Sequence, residues 1–166
     1  MNILKKIKLR KSYKCTVCGN NLQPIFVSVL TGKYNDVIIE FVNLPIMSCL
    51  NSDHQNRFMY LDFGTELIDF IFYSSSLPIA KSGITTIQKL RCYMCNNIID
   101  KPTVKILKEV KGNIEINNLS TFKLKIKATI CTCSSCNAEQ IYADEKISDD
   151  ICNAISDAFD SINLDA

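Results

Sequence analysis

The sequence predicts an α+β fold made of two tandem units, each a small β-hairpin followed by a helix. Three observations predict it. Two Cys-x-x-Cys pairs, Cys15/Cys18 and Cys92/Cys95, are each answered downstream by a second ligand-like pair, Cys49 with His54 and Cys133 with Cys136. The order of apolar stretches and turn residues after each first pair is alike in the two halves. Apolar residues alternate where strands are expected and recur at helical spacing towards the end of each half.

Residues 1–14 read as a basic tail, with Lys5, Lys6, Lys8, Arg10, Lys11 and Lys14 set among Ile3, Leu4, Ile7 and Leu9. The first unit spans 15–74. After Cys15-x-x-Cys18, an apolar stretch from Leu22 to Leu30 leads to a Thr31-Gly32-Lys33 turn, and Asp36–Val42 is a strand rich in Val, Ile and Phe. Pro45–Ser48 approaches Cys49 and His54, Arg57–Phe63 is a short strand, and Gly64–Ser74 is a helix built on Leu67, Ile68, Ile71 and Phe72.

Residues 75–91, with a serine run and Pro78, read as a linker, and the second unit spans 92–166. Strands are expected at Thr103–Val110, at Asn113–Asn117 after a Lys111-Gly112-Asn113 turn, and at Phe122–Ala128. The last alternates without a break, so Lys123, Lys125 and Lys127 face water. Gln140–Ala143 is a short strand. A closing helix begins near a Ser148 cap with Asp149 and Asp150 in its first turn, and Ile151, Ile155, Phe159 and Ile162 form one apolar stripe.

Two residues between cysteines let both sulfurs reach one tetrahedral ion from a tight turn, and a second pair closes the site. The spacing therefore places two structural Zn2+ ions in zinc-ribbon-like units. Site one is Cys15, Cys18, Cys49 and His54, with Asp53 as a substitute for His54; site two is Cys92, Cys95, Cys133 and Cys136, with Cys131 as a substitute for Cys133. Cys152 reads as a small buried hydrophobe.

Composition narrows the function classes. The chain has 166 residues, nine cysteines, one histidine and five glycines. Halves of this size have thin cores, for which a structural metal is a common remedy. The start of the chain lacks the apolar core and cleavage site of a signal peptide, and no apolar run approaches the ~18 residues of a membrane span. A cytoplasmic, soluble protein is expected, since cysteine pairs in a reducing compartment read as metal ligands. The formal charge of +2 hides a basic tail: without its six Lys/Arg, the remainder holds 13 basic against 17 acidic residues, a net of −4. Closed zinc sites do no chemistry, the one histidine is taken by metal, and no Gly-rich phosphate loop is present, so no enzyme activity is expected.

Cys15-Thr-Val-Cys-Gly19 followed by two strands and by Leu44-Pro-Ile-Met-Ser-Cys49 resembles the YgiT/MqsA-type zinc finger. The stretch from Cys92 to Cys136 is similar to a more divergent copy. The resemblance implies a zinc-supported interaction domain of the kind found in antitoxins, where such a domain binds a toxin protein and a separate helix-turn-helix binds DNA. After Cys136 only one helix is expected, so no helix-turn-helix fits here. The expected function is thus a protein-interaction module of adaptor or antitoxin/immunity-like type. Two alternatives stand beside it. One is nucleic-acid binding through Lys5, Lys6, Lys8, Arg10 and Lys11 with the Lys123/Lys125/Lys127 stripe; the other is thiol-redox chemistry at Cys131–Cys136.

Overall fold

A computed structural model describes residues 6–7, 14–51, 57–58, 63–73, 77–82, 89–116 and 120–162. Among these residues nine strands and two helices follow in the order β1 (Lys6–Ile7), β2 (Gln23–Tyr34), β3 (Val37–Ser48), β4 (Arg57–Phe58), α1 (Phe63–Tyr73), β5 (Lys81–Ser82), β6 (Leu90–Arg91), β7 (Ile106–Ile116), β8 (Ser120–Thr132), β9 (Glu139–Ile141) and α2 (Glu145–Asp160). Seven strands form one sheet in the order β1-β7-β8-β3-β2, with β4 beside β3 and β9 beside β8; β5 and β6 pair separately.

This architecture corrects the expected pair of hairpin-plus-helix units. Among the described residues it is mostly antiparallel sheet, 46% strand against 20% helix, and the sheet is continuous across the two halves. Its seam is the antiparallel pairing of β3 with β8, from Ile38 opposite Lys127 to Val42 opposite Lys123. The helices seal that union. α2, from the end of the chain, packs across β2 and β3 of the first hairpin. Phe70 of α1, from the first half, lies 3.8 Å from where a Cβ on Gly112 of β7 would sit.

Two glycines make these approaches and explain why the expected turns at 31–33 and 111–113 are absent. Both positions lie inside long strands, β2 and β7. A Cβ at Gly32 would come within 1.9 Å of the Ala154 carbonyl oxygen and 2.5 Å of the Ala158 nitrogen. A glycine within a strand often marks such a close approach, and its sequence signal is the same as that of a turn. The first hairpin instead turns at Asn35-Asp36, where Asn35 takes a positive φ of 50°. The Asn35 amide donates to buried Asp150 of α2 at 2.8 Å, and the Lys33 backbone N–H donates to Asp157 at 2.8 Å. Thus α2 holds the hairpin by its backbone as well as by its apolar face.

That face is Ile151, Ala154, Ile155 and Ala158, with Phe159 stacked on Phe41 of β3 at 5.4 Å. Small alanines at the crossing let helix and strand backbones close up on Gly32. The helix begins earlier than its charge pattern suggests. Asp144 is the cap, accepting from the Ile147 N–H at 3.0 Å, and Ser148 sits within the first turn, its hydroxyl donating to the Ala143 carbonyl.

One core unites Phe41, Leu44 and Ile46 of β3, Phe122, Leu124 and Ile126 of β8, Leu67, Phe70 and Ile71 of α1, and the buried face of α2. Residues 75–91, expected as a linker, contribute Leu77 and Ile79 to it. Pro78 and Ala80 hydrogen-bond with Ile141 of β9, so residues 78–80 lie against the sheet. A smaller cluster of Ala80, Leu90, Cys92, Ile99, Cys131, Cys133 and Ala138, flanked by Tyr93 and Tyr142, surrounds the second cysteine group.

Candidate metal centres

Three cysteine turns share one backbone design. In each, the first cysteine's carbonyl accepts from the N–H four residues on, and its own N–H donates to the carbonyl five residues on. The pairs are Cys15 with Gly19 and Asn20, Cys92 with Asn96 and Asn97, and Cys133 with Asn137 and Ala138, all between 2.8 and 3.0 Å. The residue four positions on has a positive φ each time: 72° at Gly19, 60° at Asn96 and 59° at Asn137. Glycine and asparagine enter this region most readily, so Gly-Asn and Asn-Asn after the cysteines are part of the design.

Site two joins the turn after β6 to the turn after β8. The Cys92 and Cys136 sulfurs lie 3.6 Å apart, as do those of Cys95 and Cys133. All four sulfurs fall within 4.8 Å of one another. A disulfide would require about 2.05 Å, whereas four thiolates about 2.3 Å from one tetrahedral ion lie about 3.8 Å apart. The spacing is that of a shared ion and not of a covalent pair. Cys133, not Cys131, completes the group; Cys131 lies in the small core beside it.

Electrostatics divide these thiols. Burial opposes ionisation of Cys92, but the N–H groups of Cys95 and Met94, the Gln140 side chain and Cys136 outweigh it and lower the thiol to about 6. The N–H groups of Ser135 and Cys136 likewise lower Cys133. Cys136 receives the Ala138 N–H, yet burial and the three neighbouring cysteines push it up to about 12. Burial, with Cys92 and Cys133 nearby, raises Cys131 to about 11, which leaves it a neutral thiol. Backbone donors thus favour the thiolate form of both Cys92 and Cys133, the form in which a cysteine binds a cation.

Gln140 had no signal in the sequence. It is fully buried on β9, its Oε1 accepts from the Tyr93 N–H at 2.9 Å, and its Nε2 donates to the Ala138 carbonyl at 3.4 Å. One side chain therefore braces both turns of site two. Alternation along a three-residue strand could not have singled it out.

Site one brings together Cys15, Cys18 and Cys49 within 4.8 Å, with Cys18 and Cys49 sulfurs 3.6 Å apart. Cys49 directly follows β3, and β2 starts five residues after Cys18. The hairpin therefore carries its cysteines at the end opposite its turn. The Asn51 N–H favours the Cys49 thiolate, but burial and the Cys18 and Cys15 thiols hold it above its ordinary value. The expected fourth ligand, His54, and its substitute Asp53 lie outside the described residues, as do Lys5, Lys8, Arg10 and Lys11 of the tail. Lys6 is placed by its backbone in β1, opposite Glu115 of β7. Cys152 is half-buried on α2, with its thiol raised by burial and by Asp149.

No protein-family model, curated protein or solved structure matches this chain. What the cysteine groups do is argued below from their own chemistry.

Proposed function

We propose that both cysteine groups hold structural Zn2+ and that the protein is a non-enzymatic module that binds a protein partner in a reducing, cytoplasmic compartment. The observation that carries the metal reading is the four-sulfur cluster with tetrahedral spacing. Soft thiolates in tetrahedral array suit Zn2+ or iron, and four protein ligands leave no open position for catalysis. Site one would take its fourth ligand from His54 or Asp53. Among the described residues, no helix is long and apolar enough to cross a membrane.

The partner reading rests on the edge of the sheet. β2 is its outermost strand and pairs with β3 alone among the described strands. Apart from Lys33, whose N–H is taken by Asp157, its outer edge offers backbone groups to an added extended segment. Phe26 and Val29 on this strand are 55% and 54% exposed, large apolar groups that such a segment would cover. The resemblance to antitoxin zinc domains supports the same class of partner.

The deciding experiment is elemental mass spectrometry of the isolated full chain, with reactive thiols counted before and after chelation. Two zinc ions per chain are expected, with the two thiols outside the metal groups, Cys131 and Cys152, slow to react because burial raises both. Iron with visible absorption, or cysteines recovered in disulfide pairs without metal, would overturn the metal reading. For the partner, a tagged chain should recover a protein whose capture is lost in Phe26→Asp/Val29→Lys at unchanged zinc content. Capture that survives that variant would sink the edge-strand assignment.

A further inference from the structure

The sheet face turned away from the helices carries an ordered array of lysines. The strand registers set it out in three rows across β2, β3, β8 and β7. The rows run Lys33, Ile38, Lys127, Glu109; Thr31, Glu40, Lys125, Lys111; and Val29, Val42, Lys123, Asn113. The opposite residues of the same strands, Leu30, Gly32, Ile39, Phe41, Leu124 and Ile126, are buried, so the array is the outer face. It holds five lysines against two glutamates. Both acids are spent locally, Glu40 on Lys125 and Glu109 on Lys111. Lys33, Lys123 and Lys127 are exposed and have no ion pair among the described residues.

This array is not a generic solvated face. Lys111 and Lys125 are direct cross-strand partners, and like charges placed directly opposite destabilise a sheet. The acids gather elsewhere: α2 carries Glu145, Asp149, Asp150, Asp157 and Asp160 against the single Lys146, on the other side of the sheet. A near-neutral chain has thus been sorted into a basic face and an acidic one. Finally, β1 pairs in parallel with β7, Lys6 opposite Glu115 and Ile7 opposite Ile116, which sets the backbone of Lys6 at the β7 edge of the same sheet.

We propose that this outer sheet face is a binding surface for single-stranded nucleic acid. A polyanion complements the sorted charge. The duplex major groove admits a helix or a two-stranded ribbon, not the width of four strands. An open sheet, by contrast, is a known platform for single strands. No aromatic residue lies in the three rows, so phosphate contact dominates and recognition is largely independent of base sequence. The proposal is independent of the metal's identity, and its surface meets the β2 edge only at Val29, Thr31 and Lys33.

The test is fluorescence anisotropy of the metal-loaded full chain with mixed-sequence DNA and RNA single strands of about 20 nucleotides. Binding should weaken steeply with salt. Neutralisation of three phosphates by Lys33, Lys123 and Lys127 alone predicts a loss of about 20-fold between about 50 and 200 mM salt. The variant Lys33→Gln/Lys123→Gln/Lys127→Gln should lower the log–log salt slope by about 2, whereas the matching Lys→Arg variant should keep it. Metal content and circular dichroism of each variant report that the fold is intact. Absence of binding at the lowest salt would overturn the proposal. So would a salt slope unchanged in the Gln variant, or binding to anionic phosphatidylserine vesicles without binding to either oligonucleotide.

Discussion

At the scale of single residues, the cysteines were legible because ligand chemistry demands a fixed spacing. Cys92, Cys95, Cys133 and Cys136 come together as their spacing indicates, and the Gly or Asn after each turn is needed for its positive φ. Gln140 was not legible, because a buried brace leaves no periodic trace. Its loss should be felt at both turns: Gln140→Leu is expected to weaken metal binding at site two about 10- to 100-fold, read by competition with a chromogenic chelator. Proton linkage gives a second expectation. Metal requires four thiolates, and with Cys136 raised to about 12 at least one proton must leave on binding at neutral pH. Affinity should therefore rise with pH, and fall more steeply below about 6, where Cys92 also has to be deprotonated. Calorimetry in buffers of different ionisation enthalpy would count those protons; binding that releases none would contradict the divided thiols.

At the scale of elements, strands and helices were legible in type but not in extent. The Lys123/Lys125/Lys127 alternation read correctly as a strand with one wet face, since period-two patterning survives any tertiary context. The turns at Gly32 and Gly112 did not, because a missing side chain serves a turn and a helix crossing equally. The two glycines predict unequal consequences. Gly32→Ala drives a methyl into the α2 backbone, which cannot move aside locally, and should cost about 2 kcal/mol or more. Gly112→Ala meets a Leu77 methyl, a side chain able to shift, and should cost less. Denaturant melts of the two variants would show the order; equal losses would count against the close approach of α2.

At the scale of the whole molecule, the sequence read as two hairpin-plus-helix units, and the single continuous sheet overturns that reading. Pairing of β3 with β8 and the packing of α2 on the first hairpin depend on contacts far apart in sequence, which no local pattern encodes. The consequence is mechanical coupling of the two cysteine groups through one core. Cys95→Ser should lose one metal ion per chain and lower the melting temperature of the entire molecule in a single transition. Two separated transitions in calorimetry would instead restore independent halves.

The hold of α2 on the first hairpin also governs when the protein is able to fold at all. Lys33 and its partner Asp157 are separated by 124 residues, and at 5–20 residues per second that stretch takes about 6 to 25 s to synthesise. During that interval the emerging β2–β3 hairpin has its first cysteine group complete as far as Cys49 but no helix over Leu30, Ile39 and Phe41. An ion captured early by Cys15, Cys18 and Cys49 would tie the hairpin's ends while its apolar side waits. The birth of this protein is therefore a period of exposure, and metal supply during translation would set how many chains come through it.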